Sequence, residues 1–198
     1  MELRELLARR RMVRSFDGTP ADQSWLDDIC SQSLWAPTAG NSCGVRMYNF
    51  TQPQVSAYLQ VATDAQWRSH SRRFQGLSRA GGGVVITSRP QDYLARYGEE
   101  DKHSSGLDDE SSWPIPYWHT DAAMATMALL LLIEESGWQA TIWGNFRHDH
   151  EVLAWIGAPD ERLFASVLIG IGDGHDAQSA SLKRGVVPRT SRVRRVPI

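Results

Sequence analysis

Apolar residues recur every three or four positions along several stretches of the chain, and this spacing predicts amphipathic helices. The first helix is predicted over Glu2–Arg11, where Leu3, Leu6 and Leu7 fall on one face. The further predicted helices cover Pro20–Leu34, Gln52–Gln66 and His148–Trp155. Ser24 suits the N-cap of the helix over Pro20–Leu34.

Short apolar runs that lack helical spacing predict strands over Val45–Phe50, Val84–Thr87 and Phe164–Ile171. The run Thr141–Gly144 is interpreted as a short strand or a turn. The glycine run 81–83 precedes one of these strands, whereas a phosphate-binding loop follows its strand, so we interpret the run as a flexible turn. Helices mixed with few strands predict an α+β fold in a single domain over residues 1–198.

The stretch Asp121–Ser136 is almost wholly apolar and predicts the central helix. Asp121 suits its N-terminus, and Gly137 suits its end. A helix that is apolar on every face has to be covered on every face. Residues 173–198 are polar and basic without periodicity, which indicates an extended C-terminal arm. The helix and the arm together predict a partner subunit.

Two segments separate the second strand from the central helix. Glu99–Ser112 is polar and acidic, which predicts an exposed loop. Trp113–Trp118 contains two prolines and three aromatic residues, so it is stiff and strongly apolar. This aromatic segment can cover a pocket, belong to the core or pack against a partner chain, and the sequence leaves the three alternatives open.

Charge and cysteine content exclude several classes of protein. A net charge of −2 over 198 residues argues against a general nucleic-acid binder. Two cysteines, Cys30 and Cys43, do not make a disulfide framework. The longest apolar stretch, Ala122–Ile133, is too short to span a bilayer, and Met1–Arg11 is charged, unlike a secretory leader. We therefore expect a cytoplasmic protein that binds neither nucleic acid nor membrane.

The run Arg9–Phe16 holds four arginines interrupted by Met12 and Val13. Guanidinium groups match phosphate oxygens and remain charged at any working pH. The same arginines also suit the solvated C-terminal turn of the first helix, so the spacing alone leaves both readings open. The loop Ala36–Gly44 is rich in small and hydrogen-bonding residues, which fits a flat, phosphorylated cofactor.

Other sites of chemistry find little support. His148 and His150 are two residues apart, so they face different sides of a helix, and we predict no metal site. Cys43 has no assignable His or Asn partner, which favours a buried or cofactor-adjacent thiol over a nucleophile. The glycine-rich stretch 170–174 follows a strand but opens onto a polar tail, unlike a dinucleotide fingerprint.

The ordered set of motifs resembles the nitroreductase-like FMN-dependent oxidoreductases. The resemblance rests on the Arg-Arg-x-x-Arg-x-Phe pattern at Arg10–Phe16 and on Ala36–Asn41. It continues with the helix from Asp121, the turn between Gly137 and Gly144, and the last strand followed by a basic arm. It implies a nitroreductase-like α+β fold with a central, mostly antiparallel sheet flanked by helices, in an intertwined homodimer with FMN at the subunit interface.

Carried over by position, the resemblance implies roles for individual residues. Arg10, Arg11 and Arg14 would hold the phosphate and ribityl side, while Arg9 is interpreted as solvated. The loop Ala36–Gly44, of the same subunit or of the other one, would border the ring and the ribityl chain. Trp143 and Gly144 would present their backbone near N5 of the ring. The implied cofactor-binding set is Arg10, Arg11, Met12, Arg14, Pro37, Thr38, Ala39, Asn41, Trp143, Gly144, Lys183 and Arg184, with Arg189 as the competing tail residue.

Two departures from the family pattern concern ring polarity and substrate choice. Met12 stands where the family usually has a serine, and Cys43 and Gly44 stand where a Gln-Pro pair is usual. The implied activity is reduction of an electron-poor nitroaromatic or quinone-like small molecule by NADH or NADPH in alternating half-reactions. No catalytic acid or base is assigned, because the flavin carries the chemistry.

Three alternatives remain at this point. The same fold can serve as an FMN-dependent dehydrogenase or oxidase of a metabolite or peptide without nicotinamide. It can also bind FMN without turnover. The arginine run at 9–16 and a second arginine cluster near the C-terminus can instead form an anion-binding or nucleic-acid-binding module. The second cluster comprises Arg184, Arg189, Arg192, Arg194 and Arg195.

Overall fold

A computed structural model describes residues 2–145, 147–176 and 189–196 of the chain. The helices are α1 (Leu3–Arg9), α2 (Gln23–Ser33), α3 (Gln52–Ala62), α4 (Ala65–His70), α5 (Phe74–Leu77), α6 (Pro90–Tyr97), α7 (Tyr117–Glu135) and α8 (Asp149–Trp155). The strands are β1 (Val45–Thr51), β2 (Gly82–Ser88), β3 (Gln139–Trp143) and β4 (Arg162–Gly170).

The four strands form one sheet in the order β1-β2-β4-β3, and every neighbouring pair is antiparallel. Alternate residues of β2 enter two different cores, as the period of a strand requires. Val84 and Ile86 pack with α2 and α7 on one face, and Val85 packs with α3 and α8 on the other. The predicted α+β fold with an antiparallel sheet between helices is therefore confirmed.

Two residues of the glycine run 81–83 belong to β2, so the interpretation as a turn was wrong for Gly82 and Gly83, whereas Gly81 precedes the strand. Gly82 and Gly83 pair with Thr51 and Phe50 of β1. A Cβ atom on Gly83 would lie 2.5 Å from the Phe50 ring and 2.9 Å from the carbonyl oxygen of Val167. The run is there because the neighbouring strands and the aromatic ring leave no room for side chains.

Several helix boundaries differ from the predicted ones for identifiable reasons. Asp22 rather than Ser24 is the N-cap of α2, because its carboxylate accepts the Trp25 N–H at 3.1 Å. Its hydrogen bonds to Ser24 and Trp25 lower the pKa of Asp22. The stretch 52–66 contains a break, because Asp64 accepts the Trp67 N–H at 2.6 Å and starts α4 separately.

The central helix begins at Tyr117, directly after Pro116, so Asp121 is not at its N-terminus. Its predicted end is confirmed, since Gly137 follows it with φ of +81°. Near this end Glu134, which is only 5% exposed, forms a salt bridge with the Nε of Arg9 at 3.1 Å. Arg9 is solvent-exposed as expected, yet it also supplies the counter-charge of a buried carboxylate and so ties α1 to α7.

Candidate functional site

The arginine-rich run leaves α1 at Arg9 and continues as an extended segment across the end of the sheet. The N–H of Val13 donates to the carbonyl oxygen of Ala140 at 3.0 Å, and Met12 pairs with Ala140 in a parallel bridge. Phe16 is fully buried and pairs with Gly172. The backbone of the run is thus fixed beside β3 and the residues that follow β4.

Side chains alternate along this extended segment, so neighbouring arginines have different surroundings. Arg11 and Val13 line a cavity of about 350 Å³, together with Gln139 at the start of β3. The Nη1 group of Arg11 donates to three carbonyl oxygens at the end of α1, at 2.7–3.0 Å. Arg11 therefore caps the helix C-terminus, where a cation also opposes the helix dipole.

Arg10, the residue before Arg11, differs from it in its hydrogen bonding. Its Nη1 atom is buried and has no hydrogen-bond partner among the described residues. A buried donor without a partner costs about 1–3 kcal/mol, and more for a charged group. An anion bound at this position would remove the cost, and phosphate matches the guanidinium in charge and geometry.

Arg14 is half-buried and lies on the same side of the extended segment as Arg10 and Met12. Its Nη1 donates to the carbonyl oxygen of Met12 at 3.3 Å, and its backbone N–H donates to Asp176 at 3.1 Å. Its guanidinium is therefore held against the same stretch of backbone.

A buried carboxylate on α7 fixes the loop 37–44. Asp121 is 1% exposed, and its Oδ2 accepts the Ala39 N–H at 2.8 Å and the Tyr93 hydroxyl at 2.9 Å. Burial and this carboxylate raise the pKa of Tyr93 far above its usual value, so the hydroxyl stays a donor. The second oxygen, Oδ1, lies 3.4 Å from the Thr120 hydroxyl.

A second clamp acts one residue further along the loop. The Nε–H of Arg96 donates to the carbonyl oxygen of Gly40 at 2.9 Å, while Asp101 engages both Nη atoms of the same arginine at 2.7 Å. Gly40 has φ of +61°, and a Cβ there would meet the Tyr97 ring at 2.7 Å. Pro37 and Asn41 are exposed, whereas Thr38 and Ala39 are half-buried.

The aromatic segment 113–118 forms the support of this loop. Trp113 and Trp118 are buried against Tyr93 in a separate core, and Ala39 packs on it. Their rings meet that of Tyr93 edge-on at 6.2 and 6.1 Å. Of the three alternatives for this segment, the structure shows core packing for the two tryptophans, whereas Tyr117 is 39% exposed.

Tyr93 also accounts for one departure from the family pattern, the glycine at position 44. A Cβ on Gly44 would lie 2.3 Å from the Tyr93 ring, so only glycine fits there. Cys43 is exposed with φ of +53°, so the expectation of a buried thiol was wrong for it. Cys30 is the buried cysteine, and burial raises its pKa to about 11.

The turn after β3 opens into a second cavity, of about 360 Å³. The rings of Trp67 and Trp143 meet edge to face there, with centroids 5.1 Å apart. Gly144 adds backbone to the same wall. The residues that line this cavity are Ala62, Thr63, Asp64, Trp67, Trp143, Gly144, Arg147 and His148.

The structure brings the arginine segment and the turn together but separates the loop from them. Met12 bridges Ala140 on β3, and Trp143 ends the same strand. Arg9 contacts Glu134 near one end of α7, and Ala39 contacts Asp121 near the other. These positions are thirteen residues apart on one helix, or about 20 Å at 1.5 Å per residue.

The predicted tail residues Lys183 and Arg184 lie outside the described residues. Arg189, the competing assignment, belongs to the short 3₁₀ turn Arg189–Arg192. Asp173 anchors the start of the arm after Gly172. Its carboxylate accepts the Ser15 hydroxyl at 2.7 Å and also forms a salt bridge with Arg79. A backbone hydrogen bond from His175 and these contacts lower the pKa of Asp173.

The sequence interpretation missed the residues that hold the loop 37–44 in place. Asp121 was interpreted as a helix terminus, and nothing was assigned to Tyr93 or Arg96. One signal was present, because Asp121 is the acidic residue at the edge of an otherwise apolar stretch. A carboxylate in that position is buried only when it is paired.

No cluster of three or more His, Cys, Asp or Glu side chains suited to a metal ion occurs in the described part of the chain. Among residues 2–145, 147–176 and 189–196, no helix combines the length and the apolar character needed to cross a membrane.

Comparison with known proteins assigns the family. The model of the nitroreductase family matches residues 7–172, which is most of the chain, and the chain therefore belongs to that family. No curated protein matches the sequence.

Solved structures share the fold at low sequence identity. An enone reductase of a gut-bacterial fatty acid saturation pathway is 16% identical, with a TM-score of 0.69, covering 94% of this chain and 97% of its own. A provisionally named NAD(P)H:FMN oxidoreductase of Staphylococcus epidermidis is 17% identical, with a TM-score of 0.69 and coverage of 98% and 96%. A provisionally named nitroreductase of Exiguobacterium sibiricum, solved in complex with FMN, is 12% identical, with a TM-score of 0.70 and coverage of 99% and 98%.

Replacing Asp121 by alanine tests the anchor of the loop. Asp121→Ala leaves the Ala39 N–H and the Tyr93 hydroxyl buried without an acceptor, so we expect a loss of about 1–3 kcal/mol of unfolding free energy for each. Tyr93→Phe removes one of these donors and provides the comparison. In a double-mutant cycle measured by urea denaturation, the two costs should not add. Simple additivity would contradict the shared hydrogen bond.

Proposed function

We propose that the protein is an FMN-dependent oxidoreductase that takes electrons from NAD(P)H and passes them to an electron-poor small molecule. The buried, unpaired Nη1 of Arg10 carries this proposal. It is a cationic donor shielded from water and held in place by a fixed backbone. The FMN phosphate would supply the acceptor that the described protein residues do not.

The phosphate side of the site consists of the alternate residues of the extended segment. Arg10 and Arg14 would bind phosphate oxygens, and Met12 between them offers only its backbone because its thioether is a weak acceptor. Arg11 would first have to give up its three hydrogen bonds to the end of α1, so we assign it a capping role. Lys183 or Arg184, with Arg189 as the alternative, remains the predicted contribution of the tail.

The ring side would lie against the backbone of Trp143 and Gly144 in the turn after β3, beside the cavity that these residues border. The predicted loop residues Pro37, Thr38, Ala39 and Asn41 cannot reach that ring from the same subunit. The 20 Å along α7 between Asp121 and Glu134 keeps the loop away from the arginine segment. A second copy with α7 reversed would bring its loop to this position.

Exposed apolar surface supports such a homodimer. Trp35 is 84% exposed, and it lines a groove of about 350 Å³ with Leu3, Leu131 and Leu132. Met124 on α7 is 42% exposed. A continuous apolar surface formed by α1, α2 and α7 is typical of a protein interface.

Bound FMN would supply the hydride chemistry, and the protein would supply binding, orientation and electrostatics. The guanidinium groups of Arg10 and Arg14 would fix the phosphate end. The backbone at Trp143 and Gly144 would fix the ring edge, where an N–H group can stabilise developing negative charge.

Arg10 and Arg11 are adjacent arginines with opposite surroundings, so they make a matched pair. Arg10→Ala should raise the Kd for FMN about 10- to 100-fold, since a hydrogen bond to a charged group contributes about 1.5–3 kcal/mol. Arg11→Ala should change the Kd less than about threefold, because Arg11 only caps α1. Titration of FMN into stripped protein measures both. Equal effects, or none for Arg10→Ala, would show that the phosphate is bound elsewhere.

The electron donor is tested by anaerobic mixing of the purified protein with NADH or NADPH. We expect a yellow protein that bleaches rapidly and recovers its colour when a nitroaromatic or quinone is added. A yellow protein that does not bleach would instead support the dehydrogenase or oxidase, or the FMN-binding protein without turnover. A colourless protein that cannot take up FMN would exclude the proposal.

The dimer is tested at Trp35. Trp35→Glu places a charge in the apolar groove and should produce a monomer that also loses FMN, since the partner's loop would complete the site. Gln60→Glu, on the exposed face of α3, adds the same charge elsewhere and should leave a dimer with FMN bound. Light scattering and the flavin absorbance report the two properties. A monomeric wild-type protein that holds FMN would refute the shared site.

A further inference from the structure

The cavity after β3 joins aromatic walls to positive charge. Trp67 and Trp143 form its apolar side, and Arg147 and His148 lie at its rim. Arg147 is exposed and forms no salt bridge with any acidic residue in the described part of the chain. An unpaired guanidinium beside two indole rings is a combination that favours an aromatic anion.

The other charged groups around the cavity leave this preference intact. Asp64 is the acidic residue of the lining, and its carboxylate is engaged as the N-cap of α4. Arg68 adds a second cation behind Thr63, where it bonds the Thr63 hydroxyl at 3.2 Å and the Gln60 carbonyl at 3.3 Å. His148 lies 3.9 Å from Glu151, so that carboxylate is directed to the histidine.

This local charge stands against the charge of the whole chain, which is −2. The stretch 68–79, which runs from α4 toward β2, is also basic, because it contains Arg68, Arg72, Arg73 and Arg79 and no acidic residue. Arg79 is paired with Asp173, and the remaining cations would attract a negatively charged small molecule to this side of the protein.

We propose that this cavity takes an aromatic electron acceptor carrying a negatively charged group such as a carboxylate, and that Arg147 determines this specificity. The inference rests on the proposed function and names the acceptor for it. The acceptor's ring would pack on the tryptophan wall and its carboxylate would face Arg147. For a nitroaromatic acid the first step would balance as R–NO₂ + NAD(P)H + H⁺ → R–NO + NAD(P)⁺ + H₂O, with the donor oxidised and the nitro group reduced.

The kinetic test compares 4-nitrobenzoate with 4-nitrobenzamide, which has nearly the same shape without the charge. We expect kcat/KM to favour the acid about 5- to 20-fold, mainly through KM, as one partly exposed charge-assisted hydrogen bond would give. Arg147→Gln should abolish the preference, and Arg147→Lys should restore part of it. Arg4→Gln, an exposed arginine that lines none of the described cavities, should keep the preference of the wild type.

A binding measurement provides a readout besides turnover. Calorimetric titration of the purified protein should show tighter binding of benzoate than of benzamide, and Arg147→Gln should remove the difference. Equal binding of the two, or a preference that survives Arg147→Gln, overturns the inference. If Arg147→Gln raises KM for NADPH but not for NADH, the anion is the donor's phosphate, and the inference is equally overturned.

The failure of each proposal has its own signature. If NAD(P)H does not bleach the protein, the proposed function fails, while the benzoate titration still decides whether the cavity binds aromatic anions. If bleaching occurs and acid and amide are reduced equally well, the oxidoreductase stands and the assignment of its acceptor falls.

Discussion

The rise of α7 is the constraint on which the rest of the site depends. The helix carries two buried carboxylates, Asp121 and Glu134, and each fixes a different part of the chain. Asp121 holds the loop at Ala39, and Glu134 holds the start of the arginine segment through Arg9. A straight helix cannot bring these contacts closer than about 20 Å. One subunit therefore holds the loop and the arginine segment apart, and in the proposed site a second copy would bring its loop beside the arginine segment.

Three buried charged groups show how the fold distinguishes structure from function. The carboxylates of Asp121 and Glu134 have their partners inside the chain, so they stabilise it as it stands. The Nη1 group of Arg10 has none among the described residues. In the proposed function this unpaired cationic donor is the one that would bind the ligand. Arg11, one residue away, is the contrast, because all its observed bonds are internal.

The sequence predicted the fold class and the broad placement of strands because those depend on local periodicity. The end of α7 was predictable for the same reason, since Gly137 adopts a conformation that glycine favours. The role of Asp121 was not predictable, because a helix-capping residue and a buried acceptor look alike until Tyr93 and Ala39 are in place. Arg10 and Arg11 were equally inseparable. Their difference depends on α1 ending at Arg9, and helix ends are the least certain feature of a sequence pattern.

The departures from the family pattern acquire a physical meaning from their neighbours. Gly44 is required by the ring of Tyr93, whose hydroxyl is committed to Asp121, so the loop and its support are built as one unit. Met12 packs on the core beside α7, so in the proposed site phosphate binding would fall to Arg10 and Arg14. A loop held by Asp121 and Arg96 is rigid before any ligand arrives, and a preformed surface loses little entropy on binding. In the proposed function, selectivity among acceptors would then depend on groups that stay unpaired, such as Arg147 at the rim of the tryptophan-lined cavity.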